Sequence, residues 1–366
     1  MASTFKRLLL SLAFLSLGAC GGDGNASANP TNPAGDAPNP FAAVDAAARA
    51  AFEAQSIAGM GLAIYTADGT KVFEQMYGSF SPDRRVAIAS ASKLVSGVTI
   101  FRLIDQGFLT LDSTTGQVLG WTGPNGEITL RHLLSFTSGL PPENRCTYQQ
   151  EVTLADCVEL ISESTMDAAP GTRFDYGSTH LAVAGRMAEV ATGREWNALF
   201  GDLIRDTLGM PSDIVYYTNA LQASGTINPL LAGGLRVSMN EYEHLLHFVY
   251  DKGVWQGQVV LAPAIFDTQT IAPYPNAEVG QSPTDNTPDV RYGLTAWLEC
   301  ATPATGCATI SSPGVFGFTP WLDRDAGYYA VLGMENIRNP NTTDNFAVIL
   351  EQQLKPLIVD ALARGL

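Results

Sequence analysis

The feature that most constrains the fold is the placement of strand signals at the two ends of the chain. Residues 59–65 and 72–77 read as strands joined by the turn Asp68-Gly69. Strand patterns return only from residue 291, at 292–299, 308–312, 316–323 and 328–335, with Asp325-Ala326-Gly327 as a turn. The stretches between are helical: 91–106, 129–135, 153–163, 178–192, 194–207 and 239–251 carry apolar residues at helical spacing. Two further helices are expected, at 41–54 and about 345–363. Strands at both ends with helices between predict an α+β fold: one antiparallel sheet flanked by helices, with a mostly helical second lobe. The sheet lobe is expected at about 41–85 and 285–366, the helical lobe at about 86–284, and a site in the cleft between them.

The first forty residues differ in character. Lys6 and Arg7 precede a short apolar run, 8–17, and Leu17-Gly18-Ala19-Cys20 resembles a lipobox. The apolar run is too short to span a bilayer. This predicts a lipoprotein signal at 1–20, lipidation of Cys20 and a flexible Gly/Asn/Pro/Ala linker at 21–40. Gly21, where an aspartate would signal retention, points to the outer membrane, with the folded body in the periplasm or at the cell surface. A net charge of −15 argues against nucleic acid as a partner. Without Cys20, four cysteines remain as two close pairs, and in an exported protein the simplest pairing is local: Cys146–Cys157 and Cys300–Cys307. Zinc is the rival reading, but no pair has C-x-x-C spacing and the four histidines add no matching set, so no metal is expected.

Ser90-Ala-Ser-Lys93 stands just ahead of the apolar run that opens the 91–106 helix. Residues three apart share a helix face, so a hydroxyl and an amine would meet near the positive end of the helix. A serine hydroxyl is a weak nucleophile at neutral pH, and a buried lysine can serve as its base. A serine before a helix is also an ordinary cap, so the motif needs company. Pro170 to Ser178 (PGTRFDYGS) supplies some: Tyr176 and Ser178, two apart in an extended loop, can point into one pocket, and a phenol can relay protons. In Ser312-Pro313-Gly314-Val315-Phe316-Gly317, glycines after a strand let a backbone N–H approach an acyl oxygen. His244 and His247 with Glu243 fit an amphipathic helix, lacking a third ligand, and nothing in the spacing of Asp175 and Glu335 makes them an acid pair. There is no G-x-S-x-G elbow.

Together these segments resemble the serine β-lactamase and penicillin-binding-protein superfamily, in particular its class C β-lactamase and family VIII carboxylesterase branch. His132 to Pro141 is similar to its "LLxHTSGLP", Pro170 to Ser178 to "PGxxFxYSN", and Leu208-Gly209-Met210 to "PLGM". Gly233-Gly234-Leu235 is similar to "AGGL" and Tyr292-Gly293-Leu294 to "YGLGW", in the family's order across nearly all of 41–366. The resemblance implies a β-lactamase/transpeptidase-like fold and an acyl-enzyme on Ser90. Lys93 would take the serine proton or lower the pKa of Tyr176, and Tyr176 would act as general base and then protonate the leaving group. The N–H groups of Ser90 and Val315 would form the oxyanion hole, Ser178, Ser312 and Gly314 would also contact substrate, and no cofactor is implied.

Two positions depart from the family pattern. Ser178 replaces the asparagine of Y-x-N, and Ser312-Pro313-Gly314 replaces the K/H-T/S-G motif, whose cation and hydroxyl help bind a substrate carboxylate. A charge-assisted contact contributes about 1.5–3 kcal/mol, so carboxylate recognition should suffer unless Arg173 or Arg236 substitutes. The expected substrate is a small neutral ester or amide, and the expected activity that of a carboxylesterase. A β-lactamase, a D-Ala-D-Ala carboxypeptidase or a D-aminopeptidase is the enzymatic alternative. A catalytically weak protein that binds cell-wall peptides or a partner is the alternative from another class. The sequence leaves the oligomeric state open.

Overall fold

The computed structural model describes residues 39–283, 291–337 and 340–365. The lipobox with Cys20, and the linker up to residue 38, lie outside the described residues. Helix α1 (Ala42–Glu53) leads into β1 (Gly59–Thr66) and β2 (Lys71–Gly78). The remaining strands of the main sheet follow more than 200 residues later: β3 (Arg291–Tyr292), β4 (Trp297–Leu298), β5 (Thr309–Ser311), β6 (Thr319–Asp323) and β7 (Tyr328–Met334). Their order is β2-β1-β7-β6-β5-β4-β3, antiparallel throughout, so the two ends of the chain meet where β1 pairs with β7.

Both faces of the central strands are covered, which is why β1 is buried along nearly its whole length. Side chains alternate across a strand, so Met60, Leu62 and Ile64 join Ala330 and Leu332 on one face, against Val44 and Ala48 of α1. The last helix, α5 (Pro340–Gly365), lays Leu350, Leu354 and Ile358 on this same face. Each such side chain contributes about 1.5–3 kcal/mol on burial. Ala63, Tyr65, Tyr329 and Val331 point the other way, into the core shared with the helical stretch. There, α4 (Met239–Tyr250) packs on β7. Gly61 and Gly333 face each other in register across β1 and β7, and a Cβ on either would come within 2.7 Å of the Met239 side chain. Their bare backbone lets the first turn of α4 lie on the sheet.

Two expected elements break. The apolar run 292–299 reads as one strand but folds as the β3–β4 hairpin. Gly293 N–H bonds Ala296 O at 2.9 Å, and Thr295 turns the chain at φ 63° while its N–H is held by Leu134 O. The run 194–207 divides into a helical segment, Trp196–Phe200, and a wider turn, Gly201–Arg205. Both disulfides are formed, Cys146–Cys157 and Cys300–Cys307, which removes these thiols from any zinc site. No described helix is long and apolar enough to cross a membrane.

At the centre of the helical stretch is α2 (Ser92–Asp105), buried without interruption from Ser92 to Phe101. It packs on α3 (Thr179–Thr192). A helix enclosed on all sides holds a fixed position, and the groups at its start inherit that rigidity.

Candidate active site

Ser90 sits in a short 3₁₀ turn, Ala89–Ala91, that runs directly into α2. The chain reaches it through the two-residue strand Val86–Ala87, paired with Arg236–Val237. Ala87 N–H donates to Glu335 Oε1 at 2.7 Å, and Ile88 N–H to Leu235 O at 3.2 Å. Glu335 is itself held by Arg84 and Arg236. Between these anchors and the helix, Ala89 adopts φ 45°, a conformation that costs an alanine about 1–2 kcal/mol. The flanking bonds impose that turn, and it places Ser90 at the surface of a cavity of ≈ 390 Å³.

Lys93 follows one turn later and is only 4% exposed. Its Nζ lies 2.9 Å from Ser90 Oγ, 2.9 Å from the carbonyl oxygen of Ala232, and 4.6 Å from the centre of the Tyr176 ring. Tyr176 is set by an aromatic frame: it stacks on Trp297 at 5.2 Å and meets Phe136 and Tyr292 edge-on. Its N–H donates to Gln281 O, and the neighbouring Asp175 N–H donates to Phe136 O. Behind Phe136 lies His180, fully buried and stacked on that ring. Its Nε2 must carry the proton, because its partner at 2.7 Å is the carbonyl oxygen of Asp175, while Nδ1 faces Ser138 Oγ at 2.8 Å. Burial, more than any neighbour, pushes this imidazole down to about 4, so it packs as a neutral ring.

The opposite wall is the loop after β5. Ser312 N–H bonds Pro320 O and Gly314 N–H bonds Phe318 O, so the β5–β6 ladder continues to the cavity edge. A Cβ on Gly314 would lie 2.1 Å from Ile88 O, so only glycine lets this loop close on the Ser90 turn. Val315 then lines the cavity beside Ser90. Among the described residues neither the Val315 N–H nor the Ser90 N–H has a hydrogen-bond partner. Two unengaged amides beside a serine hydroxyl can receive a developing oxyanion.

The β-lactamase family model matches residues 44–353. This chain belongs to the β-lactamase family. It carries the β-lactamase fold of a family of serine hydrolases. A structure from Bacteroides dorei DSM 17855, described provisionally as a β-lactamase, superposes with a TM-score of 0.77 at 29% identity, over 87% of this chain and 98% of that one. The hydrolase EstCE1, described as having promiscuous acyltransferase activity, shares the fold at 19% identity and a TM-score of 0.69, covering 88% of this chain and 98% of its own. Penicillin-binding protein 4 of Amycolatopsis lactamdurans is 30% identical over 139 residues, 36% of each chain. The chain thus aligns with about a third of the length of the curated relatives it matches.

Of the residues expected at the site of this β-lactamase-family fold, Ser90, Lys93, Tyr176, Ser178 and Val315 line one cavity. Ser312 and Gly314, expected to touch substrate, stand behind it. Ser312 is 4% exposed and its hydroxyl turns to Ser90 O at 3.3 Å, while the Gly314 N–H is consumed by Phe318 O. Neither arginine expected as a substitute cation reaches the cavity. Arg173 pairs with Asp175, and Arg236 is spent on Ala220 O, Arg85 O and Glu335. Sequence reasoning missed Glu143 and Tyr148, which share a network with Ser178 on the cavity wall. Glu143 Oε1 accepts from Ser178 N–H at 3.1 Å and Oε2 accepts from Tyr148 OH at 2.7 Å, while Tyr148 OH and Ser178 Oγ are 2.9 Å apart. Burial and the Glu143 charge push the Tyr148 phenol up to about 12, so it stays protonated. Elsewhere, His244 bonds Leu208 O while Glu243 and His247 share Tyr329 OH. No group of three His, Cys, Asp or Glu side chains among the described residues is placed to hold a metal.

Proposed function

We propose that this chain hydrolyses small esters or amides without a substrate carboxylate through an acyl-enzyme on Ser90, most closely in the manner of a carboxylesterase. The observation that carries this is the position of Lys93 Nζ, 2.9 Å from Ser90 Oγ and 4.6 Å from the Tyr176 ring centre within one cavity. Ser90 Oγ attacks the carbonyl carbon while its proton passes to the Lys93–Tyr176 pair. The negative charge on the former carbonyl oxygen is received by the N–H groups of Ser90 and Val315. Collapse of this intermediate breaks the bond to the leaving group, which takes the proton from Tyr176. A water, deprotonated by the same pair, then attacks the acyl carbon and returns Ser90 with a carboxylic acid as product.

The preference for substrates without a carboxylate rests on the charges. Among the described residues lining the cavity, Lys93 is the one cation, and it is occupied with Ser90 and Ala232. The protein is further proposed to be held in the bacterial cell envelope, at the outer membrane, by lipid on Cys20, with residues 21–40 as tether. The activity is tested with the protein lacking residues 1–20 on a short p-nitrophenyl ester, with Ser90→Ala as control. Ester turnover lost in the variant is expected, and nitrocefin turnover exceeding ester turnover would overturn the substrate preference. Release of Cys20→Ala protein into the soluble fraction tests the anchor.

A further inference from the structure

Resting on the acyl-enzyme reading of Ser90, we propose that Glu335 is a positioning residue for the oxyanion hole. Together with Asn336 it fixes the spacing between the Ser90 turn and the Val315 loop, by the reach of its side chain rather than by its charge. The two residues follow β7 directly. Glu335 Oε1 accepts from the N–H of Ala87, three residues before Ser90, at 2.7 Å. The Asn336 N–H donates to the carbonyl oxygen of Phe316, next to Val315, at 3.0 Å. Consecutive residues at one strand end therefore hold the chain on both sides of the hole.

The site needs such a tie. The hydrogen bond that joins the two segments directly, Ser312 Oγ to Ser90 O, is long at 3.3 Å. Ala89 holds φ 45°, and a strained turn persists only where its surroundings over-determine it. Ala87 is fully buried, so its amide would lose its acceptor if Glu335 withdrew. The ion pairs of Glu335 are weaker ties. Arg236 Nη1 and Arg84 Nη2 stand 3.5 and 3.7 Å away, beyond good hydrogen-bond distance, and Arg84 is half-exposed. Oxyanion donors work at roughly 2.7–3.1 Å, so a small change in this spacing acts on the transition state and little on the bound ester.

The test sets steady-state kinetics on a p-nitrophenyl ester beside inhibition by a trifluoromethyl ketone with the same acyl chain. Ser90 Oγ adds to the ketone carbonyl carbon, and the adduct leaves an oxyanion in the hole. End-point labelling of Ser90 by a fluorophosphonate counts the folded enzyme, and rates are taken per labelled site. Glu335→Gln, which keeps the reach and the acceptor, should hold kcat within about threefold. Glu335→Asp, one methylene shorter, should lower kcat roughly 10- to 100-fold, part of what the loss of one oxyanion donor costs. Its KM should change less than about threefold, and the ketone should bind it more weakly by a factor similar to the loss in kcat. Glu335→Ala should resemble Glu335→Asp, and the Asp–Gln comparison decides where the alanine variant does not fold. Unchanged kcat in Glu335→Asp, or an equal loss in Glu335→Gln, would overturn the inference. So would a loss of kcat with undiminished ketone inhibition. Absence of labelling in the unmodified protein would instead overturn the hydrolase reading beneath it.

Discussion

Lys93 Nζ is 2.9 Å from Ser90 Oγ and buried to 4% exposure, although Lys93 is three residues further along the chain and Ser90 lies at the cavity surface. The enclosed α2 helix fixes the lysine, and the 3₁₀ turn at Ala89–Ala91 fixes the serine. With the Tyr176 ring over the same Nζ, the three groups act as one unit. Lys93→Ala and Tyr176→Phe should each lower kcat by about 10²–10⁴-fold, and the double variant little further. Steady-state kinetics on one ester decides this, and fully additive losses would count against a shared role.

Gly314 is the hinge between the sheet and the serine turn. A methyl there would meet Ile88 O at 2.1 Å, so the backbone on one side must move. Gly314→Ala should lower stability by about 1–3 kcal/mol, as overpacking does. It should also lower kcat more than it raises KM, by displacing the Val315 amide. Thermal unfolding together with kinetics separates the two effects.

The Cys146–Cys157 bridge supports the far wall of the cavity. Asn228 Nδ2 donates to the carbonyls of Cys146 and Gln149, tying the segment that leads to Leu230 and Ala232 onto the bridged loop. Replacing both cysteines by alanine should cost about 2–4 kcal/mol. KM should rise as the wall loosens, and thermal unfolding of the variant beside the unmodified protein, both without reductant, checks the loss of stability.

Stability should peak near neutral pH. Glu351 of α5 is fully buried, with Lys355 Nζ 2.8 Å away and shared with Glu299. Burial first, then the Glu299 charge, pushes the Glu351 carboxyl from 4.5 up to about 8. The folded state keeps a proton that the unfolded chain releases, so stability falls as pH rises through that interval. His132 and His180 work in the opposite sense. Burial foremost, and Arg131 next in the case of His132, holds each at about 4 against 6.5 when unfolded, so unfolding takes up protons and stability falls as pH drops from 6.5 to 4. Melting temperatures across this range should show both slopes, and Glu351→Gln should flatten the alkaline one.

Much of the fold was legible because strands covered on both faces read as short, near-continuous apolar runs between turn residues, as Met60, Leu62 and Ile64 on one face and Ala63 and Tyr65 on the other make one run. The hairpin inside 292–299 was not, since an apolar run buried on both sides of a turn looks like a continuous strand. Ser90, Lys93 and Tyr176 stood out only in company: the S-x-x-K alone reads equally as a helix cap, and the ordered segments around it that resemble the family singled it out. Ser312 and Gly314 were read as substrate contacts because the local pattern could not show that their polar groups are consumed by Ser90 O and Phe318 O. Arg173 and Arg236 were offered as cations for the same reason: the folded chain turns Asp175, two residues on, back to pair Arg173, and brings the sequence-distant Glu335 to Arg236. Glu143 gave no signal at all. In Pro141-Pro142-Glu143-Asn144 it reads as a solvated loop residue, and only the folded chain brings it to Ser178.

The central claim is that Ser90 carries the acyl group. Incubating the protein lacking residues 1–20 with a p-nitrophenyl ester, quenching in acid and mapping peptides by mass spectrometry tests it most directly. The expected result is an added acyl mass on the peptide containing Ser90 that is absent in Ser90→Ala. Ester hydrolysis that persists in Ser90→Ala, or an acyl group found on any other residue, would contradict the account.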